Sequence, residues 1–213
     1  MRVIAGSAGG RPLRAPERIQ TRPTGDKVKG AIFSMLDAEA LRRGFEHEEG
    51  DEEHDGRYAS AVAWPRVLEL YAGSGALAIE ALSRGATHAD LVESNRDARK
   101  AISANLESTG FKDQAAVHSM RAESAVSTFH GPYDLILLDP PYDAEGVQQV
   151  MERLAGGALL DDSGVVVWEH SASTNPPQNL ADPARQRGLR LLRTRNHGAA
   201  SVSLYASAAA DPS

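Results

Sequence analysis

From residue 66 onward the chain alternates short apolar segments with segments of helical periodicity, and this alternation constrains the fold more than any other feature. The strand-like segments are RVLEL (66–70), ADLVE (89–93), AAVHS (115–119), YDLILLD (133–139) and GVVVWE (164–169). Helical patterns between and after them cover 76–85, 95–108, 122–129 and 147–154. Repeated strand–helix units predict an α/β, Rossmann-like fold with a mostly parallel sheet and helices on both faces.

The two ends of the chain have other patterns. LRLLRTR (189–195) and SVSLYAS (201–207) predict an antiparallel pair that closes the sheet. Near the start, two short runs flank the glycine-rich GSAGG, which predicts a β-hairpin, and Thr24 is the expected N-cap of a helix at about 25–43. The chain therefore divides into a hairpin or basic arm (1–24), one α/β domain (25–206) and a tail (207–213).

Charge is distributed unevenly although the formal net charge is −6. The first 30 residues hold seven basic side chains, at Arg2, Arg11, Arg14, Arg18, Arg22, Lys27 and Lys29. The segment EHEEGDEEHD (46–55) is almost wholly acidic, and we expect a solvated loop at about 46–60. The chain has no cysteine, which excludes disulfides and thiolate chemistry, and no long apolar stretch, so the default expectation is a cytoplasmic protein without a membrane partner.

The turn between the first strand and its helix predicts a nucleotide-type cofactor. Gly73-Ser74-Gly75 follows the strand and opens the helix, as in dinucleotide-binding folds. Glu69, Glu93 and Asp139 end three of the strands, and we expect them to converge at the carboxyl edge of the sheet. Carboxylates repel the pyrophosphate of NAD, whereas S-adenosylmethionine carries an ammonium and a sulfonium and suits an acidic site. S-adenosylmethionine is therefore the predicted cofactor.

Within this site Glu93 is expected to bind the ribose hydroxyls, and the helix N-terminus the cofactor carboxylate. The predicted cofactor-binding residues are Glu69, Tyr71, Gly73, Ser74, Gly75, Ala76, Glu93, Ser94, Asn95, Arg121, Ala122, Asp139 and Thr24. No metal is expected to take part. For Glu69 or Glu93 alone, a solvated strand end would be an equally simple interpretation.

Asp139-Pro140-Pro141-Tyr142 follows the most apolar strand directly. An exocyclic amine on a base ring is a poor nucleophile, since its lone pair is drawn into the ring. The Asp139 carboxylate and the Pro140 carbonyl could accept its two N–H bonds, and two prolines hold that carbonyl in place. Tyr142 offers a face on which an extruded base can stack. The motif predicts amino methylation of a nucleobase with Asp139, Pro140 and Tyr142 as catalytic residues; the simpler alternative is a rigid turn with Tyr142 covering the core.

With these motifs the chain resembles the RsmD-like 16S rRNA guanine-N2 methyltransferases of bacteria. The resemblance rests on RPTGDKVKGAIFSML (22–36), LELYAGSGALAIEALSRGA (68–86), LVESNRDA (91–98) and LLDPPY (137–142), within a similarity that runs from Arg2 to about Tyr205. It implies a seven-stranded methyltransferase sheet with an N-terminal hairpin. It also implies one target guanine in the helix 31 loop of small-subunit rRNA, with Arg22 to Thr24 near the cofactor and the entering base.

The resemblance further implies that the partner is the small ribosomal subunit or its assembly intermediate, and we expect a monomeric enzyme. The predicted substrate-binding residues are Arg2, Arg11, Arg14, Arg22, Pro141 and Tyr142. The acidic segment at 46–60 departs from the family pattern, and so does Arg121, which stands where such enzymes often have a small polar or acidic contact to adenine. Three other functions stay open at this stage: an adenine-N6 DNA or RNA methyltransferase, an NAD-dependent oxidoreductase, and a non-catalytic RNA-binding assembly factor.

Overall fold

The computed structural model describes residues 1–16, 25–49, 56–141, 144–182 and 187–209. Its helices are α1 (Asp26–Arg42), α2 (Ala59–Ala63), α3 (Ala76–Ser83), α4 (Arg96–Thr109), α5 (Ala122–Thr128) and α6 (Val147–Gly156), with a 3-10 turn at Lys112–Gln114. Its strands are β1 (Arg66–Leu70), β2 (His88–Val92), β3 (Ala115–His118), β4 (Tyr133–Leu138), β5 (Leu160–Ser171), β6 (Asn179–Asp182), β7 (Arg187–His197) and β8 (Ala200–Ala209).

The eight strands form one mixed sheet in the order β3-β2-β1-β4-β5-β8-β7-β6. The first five are mutually parallel, whereas β8 is antiparallel to both β5 and β7, and β6 is antiparallel to β7. The chain leaves β1 toward β2 on one side and later returns to β4 on the other. This reversal opens a crevice at the carboxyl ends of β1 and β4, where ligands bind in folds of this kind.

Helices cover both faces of the sheet, as the alternating pattern predicts. One apolar core joins α1, α3 and α4 to the sheet through residues such as Phe33, Ile79 and Ile102. The other core joins α5 and α6 to the opposite face through residues such as Ala125 and Met151. Strand β4 serves both cores because its successive side chains point to opposite faces. No described helix is long and apolar enough to cross a membrane.

The strand count differs from the predicted seven. The additional strand, β6, pairs with β7 through Leu180 and Leu189. Strand β8 also continues to Ala209, because its last residues pair with the start of β7, so residues 207–209 belong to the sheet and not to the predicted tail. Within the predicted acidic loop, Glu48 and Arg57 form an antiparallel bridge, and α2 begins at Ala59.

In place of the two full strands of the predicted N-terminal hairpin, residues 1–16 contain one antiparallel bridge, between Arg2 and Pro12, with backbone hydrogen bonds on either side of it from Val3 N–H to the Arg11 carbonyl (2.9 Å) and from Leu13 N–H to the Met1 carbonyl (3.0 Å). The physical reason lies in α3. The N–H groups of Ile4 and Ala5 donate to the Glu80 carboxylate at 2.7 and 3.1 Å, so the backbone pairing does not continue beyond Val3. The segment is thereby held against the helix that follows the glycine turn.

Candidate active site

A cavity of about 1590 Å³ opens at the carboxyl ends of β1, β2 and β4. Its described walls come from the loops after these strands, the beginnings of α1 and α5, the N-terminal segment and the turn between β7 and β8. Within the part of the chain that the structure describes, seven carboxylate residues line it: Asp26, Glu69, Glu93, Glu123, Asp139, Glu145 and Glu169. Among the described residues only Lys27 and Arg121 contribute permanently cationic side chains. The cavity therefore favours a cationic ligand.

The glycine turn lets the backbone approach a ligand closely. Tyr71, Gly73 and Gly75 all have positive φ, of 60°, 55° and 75°. At Gly75 an added Cβ would lie 2.9 Å from Leu91, so this glycine is required for packing of the turn against β2 and does not line the cavity. Gly73 lines the cavity, and the nearest atom to a Cβ there would be the Tyr71 carbonyl oxygen at 3.9 Å. The space above Gly73 can thus be filled by a ligand.

Glu93 follows β2 and is half-buried at the cavity wall. One of its carboxylate oxygens accepts the Gly73 N–H at 2.8 Å and the other accepts the Asn95 N–H at 2.7 Å. These bonds fix the carboxylate beside the glycine turn. Each oxygen keeps acceptor capacity for a ligand hydroxyl.

Asn95 and Ser94 also line the cavity. The Asn95 side chain is the N-cap of α4, accepting the N–H groups of Asp97 and Ala98 at 2.8 and 3.1 Å. The side-chain carbonyl oxygen of Asn95 is thereby occupied by the cap of α4. The predicted contact of Asn95 to the cofactor therefore falls to its amide nitrogen or its backbone.

Glu69 lies beneath the glycine turn with 2% of its surface exposed. Its carboxylate accepts the Ala78 N–H at 3.0 Å and so caps α3, whose N-cap residue, Gly75, has no side chain to do so. Burial raises the pKa of Glu69 to about 8, against the opposing effect of the Ala78 N–H. The negative charges of Asp139 and Glu93 add to this increase. A cation in the cavity would favour the ionised form of Glu69.

Asp139 follows β4 directly, next to the end of β1, because Leu70 and Leu138 are paired in register. Pro140 is buried and Pro141 is exposed, and all three residues line the cavity. The Pro141 carbonyl accepts the Ala144 N–H at 2.9 Å. The fourth residue of the motif, Tyr142, lies outside the described residues, as do Arg22 and Thr24, two further predicted site residues. Gly25 occupies the N-cap position of α1 that was expected for Thr24.

Arg121 and Ala122 lie on the wall beyond β3. The Arg121 side chain is 75% exposed and pairs with Glu123 at 3.4 Å. Burial and the nearby Glu123 carboxylate raise the pKa of Tyr71 to about 12. Ser74 and Ala76 complete the predicted cofactor residues on the cavity, at the start of α3.

The predicted RNA-contacting arginines lie outside the cavity. Arg2 is exposed beside Asp26, with 3.7 Å between the charged atoms. Arg11 donates to the Ser108 carbonyl at 3.0 Å, and Arg14 is exposed. Arg2 and Arg14 each adjoin a residue that lines the cavity, Asp26 and Ala15 respectively, whereas Arg11 is held at the last turn of α4.

Sequence reasoning missed several cavity residues. Glu169 on β5 and His197 at the end of β7 both line the cavity, as does Lys27 at the start of α1. The residue pattern of β7 does not show which way the strand runs in the sheet, so its carboxyl end could not be placed near the site from the sequence. Glu123 had a sequence signal, since it follows Arg121 and Ala122 directly.

Comparison with known proteins agrees with this geometry. The family model described as "Conserved hypothetical protein 95" matches residues 1–206. The chain is 32% identical over 212 residues to "Putative rRNA methyltransferase YlbH" of Bacillus subtilis (strain 168), covering 96% of this chain and 98% of that one. It is 27% identical over 177 residues to "Ribosomal RNA small subunit methyltransferase D" of Escherichia coli (strain K12), covering 83% and 78%.

A solved structure gives the same result. "Putative methyltransferase yhhF from Escherichia coli" matches with a TM-score of 0.70 and 26% identity, covering 96% of both chains. The fold is thus the α/β fold of methyltransferases, with a mixed eight-stranded sheet. Since the family model spans nearly the whole chain, the chain belongs to the family described as Conserved hypothetical protein 95, the RsmD-like methyltransferases.

Proposed function

We propose that the protein is an S-adenosylmethionine-dependent rRNA methyltransferase that modifies the exocyclic N2 amine of a guanine in 16S rRNA. The observation that carries this proposal is the position of Asp139-Pro140-Pro141. The motif ends β4 beside the glycine turn of β1, on the same cavity as Glu93. An amine-holding motif and a cofactor turn are thereby combined in one acidic crevice.

The residues present fit S-adenosylmethionine. The described residues give the cavity seven carboxylates against two permanently cationic side chains, which suits a ligand with an ammonium and a sulfonium and disfavours the pyrophosphate of NAD. Glu93 would hold the ribose hydroxyls, and the open space over Gly73 would admit the cofactor beside the start of α3. Glu69 and Asp139 would complement the positive charge.

When bound, the cofactor supplies a methyl group activated by the adjacent sulfonium. The task of the protein is then to hold and activate the amine. The Asp139 carboxylate and the Pro140 carbonyl would accept the two N–H bonds, which draws the protons away and returns electron density to nitrogen. Asp139 would also receive the proton that nitrogen releases. Most of the acceleration would come from positioning and from charge complementarity.

The substrate assignment draws on the relatives, since two carry names that denote rRNA methyltransferases and one specifies the small subunit. Arg2 and Arg14, which adjoin lining residues of the cavity, suit an RNA backbone. We propose that the partner is the small ribosomal subunit or its assembly intermediate, bound by a monomer. Guanine-N2 is the finer part of the proposal; adenine-N6 is its chemical alternative, because that base also offers an exocyclic amine.

The experiment measures transfer from methyl-labelled S-adenosylmethionine to undermethylated small subunits, to free 16S rRNA and to duplex DNA. The proposal predicts labelling of the small subunit or its rRNA, and no labelling of DNA. The Asp139→Asn variant keeps the size of the side chain but not its charge, and we expect a rate loss of about 100-fold or more when both variant and wild type are measured at saturating cofactor. Labelled DNA, or an Asp139→Asn variant with the wild-type rate, would contradict the proposal.

A further inference from the structure

The last part of β7 lies at the edge of the sheet that carries the site. Strand β8 is antiparallel to β5 and to β7, so β7 runs parallel to β5. The carboxyl end of β7 therefore lies at the same edge as the carboxyl ends of β1, β4 and β5. At this end the chain presents Arg195, Asn196 and His197 before it turns at Gly198.

His197 and Gly198 reach the cavity itself. The His197 Nε2 atom is buried and has no hydrogen-bond partner within the described part of the chain. A buried polar atom without a partner is costly unless a ligand or water satisfies it. Gly198 has a φ of 68°, and a Cβ there would meet no atom within 4 Å, so the turn presents open space toward a ligand. This wall of the cavity thus combines an unpartnered polar atom with open space at the adjacent turn.

Arg195 shares a face of β7 with Arg193 and His197, because alternate residues of a strand point the same way. Arg193 is held against α1, with 3.5 Å between its guanidinium and the Glu39 carboxylate. Arg195, one step nearer the cavity, is exposed and forms no ion pair with any described residue. A cation in this position is available to an anionic partner.

On the N-terminal side, Arg2 lies beside the lining residue Asp26, and Lys27 lines the cavity at the start of α1. The acidic cavity thus has positive charge at its mouth both on the N-terminal side and at the end of β7. A polyanion that delivers one nucleotide to the cavity would place its backbone over these cations and keep its phosphates away from the acidic floor. This arrangement of charge fits a nucleic-acid strand better than an acidic peptide, since a peptide has no base to insert.

We propose that the end of β7 is a second RNA contact, in which Arg195 binds a backbone phosphate next to the target and the His197 Nε2 atom hydrogen-bonds the nucleotide that enters. The inference rests on the proposed function, because it assumes an RNA substrate. Arg195 would position the strand without reading its sequence, as phosphate contacts do. His197 would contact only the nucleotide that enters the cavity and not the neighbouring phosphates.

Arg190 provides a matched control for Arg195. It is also exposed on β7 but lies five residues earlier, roughly 16 Å from Arg195 along the strand. The affinity of Arg195→Ala and Arg190→Ala for undermethylated small subunits would be measured over a range of KCl concentrations. We expect Arg195→Ala to weaken binding about fivefold and to reduce the slope of log K against log salt by about 0.7 to 0.9. Arg190→Ala should change neither quantity.

For His197 the comparison is between His197→Leu, which loses the polar atom, and His197→Gln, which retains a hydrogen-bonding group near the same position. We expect kcat/KM for the subunit to fall about tenfold in the Leu variant and to recover largely in the Gln variant, as for the loss of one hydrogen bond to a substrate. The Kd for S-adenosylmethionine should remain at the wild-type value in both variants.

Equal effects of Arg195→Ala and Arg190→Ala would overturn the inference, as would a Gln variant no better than Leu. Weaker binding with an unchanged salt slope would place Arg195 against a ribosomal protein and not a phosphate, which also overturns it. The proposed function fails separately, when wild-type protein binds the cofactor but labels no RNA. If wild-type protein labels RNA, and the Arg195→Ala variant has the wild-type affinity for subunits and the wild-type methylation rate, only this inference fails.

Discussion

The burial of Glu69 beneath the glycine turn leads to a specific prediction for the Glu69→Gln variant. The wild-type side chain is 2% exposed, and its carboxylate accepts the Ala78 N–H. Glutamine has the same shape, and its amide oxygen can accept the same bond. The substitution therefore removes the titratable group while the cap of α3 is kept.

The size of the effect follows from the pKa of Glu69, which is 4.5 ordinarily and about 8 in the folded protein. Below pH 4.5 the carboxyl group is protonated in both the folded and the unfolded states. As the pH rises from 4.5 to 8, the unfolded chain releases this proton while the folded protein keeps it. The free energy of unfolding consequently falls by about 1.4 kcal/mol per pH unit, which amounts to about 3 kcal/mol between pH 5.5 and 8.

Urea unfolding at pH 5.5 and pH 8.5, at constant ionic strength, measures this effect. Relative to wild type, the Glu69→Gln variant should gain about 3 kcal/mol of stability on going to the higher pH. Glu145→Gln is the control, since Glu145 also lines the cavity but is exposed, and its stability should follow the wild-type pH dependence. A Glu69→Gln variant whose difference from wild type is the same at both pH values would refute the argument from burial.

Three further predictions concern stability and cofactor binding. Lys29→Met removes a fully buried cation that lies 3.1 Å from the Glu80 carboxylate, and it should lower the free energy of unfolding by about 3 kcal/mol. Lys27 is exposed, so Lys27→Met should change the free energy of unfolding by less than about 0.5 kcal/mol. Equal urea midpoints for the two variants would contradict this prediction. Gly75→Ala should lower the free energy of unfolding by about 2 kcal/mol or more, because the added Cβ would lie 2.9 Å from the Leu91 side chain. Gly110 has a similar φ but open space around it, so Gly110→Ala should lower the free energy of unfolding by only about 1 kcal/mol. Urea unfolding measures both values. Glu93→Ala should raise the Kd for S-adenosylmethionine at least about tenfold in calorimetric titration, and an unchanged Kd would remove Glu93 from the ribose site.

The sequence predicts the parallel part of the fold well because its signals are local. The apolar segment at 66–70 coincides with β1, and that at 133–139 with β4 except for its last residue. Strand β6 was missed because NLAD has no alternating pattern and depends on its hydrogen bonds to β7. The N-terminal hairpin was expected from a glycine-rich turn, but Glu80, more than 70 residues away, takes up the N–H groups of Ile4 and Ala5. No local pattern reports such a contact.

The candidate site shows the same division. Glu69, Glu93 and Asp139 could be placed together from the sequence because each ends a strand of one parallel sheet, and the structure brings them to one cavity. Their roles toward a cofactor stay predictions, as do those of Thr24, Arg22 and Tyr142, which lie outside the described residues. His197 could not be foreseen, since its position depends on β8 lying between β5 and β7.

The most direct test of the account is the identity of the methylated nucleoside. Undermethylated small subunits are incubated with the protein and methyl-labelled S-adenosylmethionine, the 16S rRNA is digested to nucleosides, and the labelled product is identified. The account predicts N2-methylguanosine from a single site, absent with Asp139→Asn. Label in N6-methyladenosine would contradict the guanine assignment while the amine chemistry stands, and no label in rRNA despite cofactor binding would contradict the central claim.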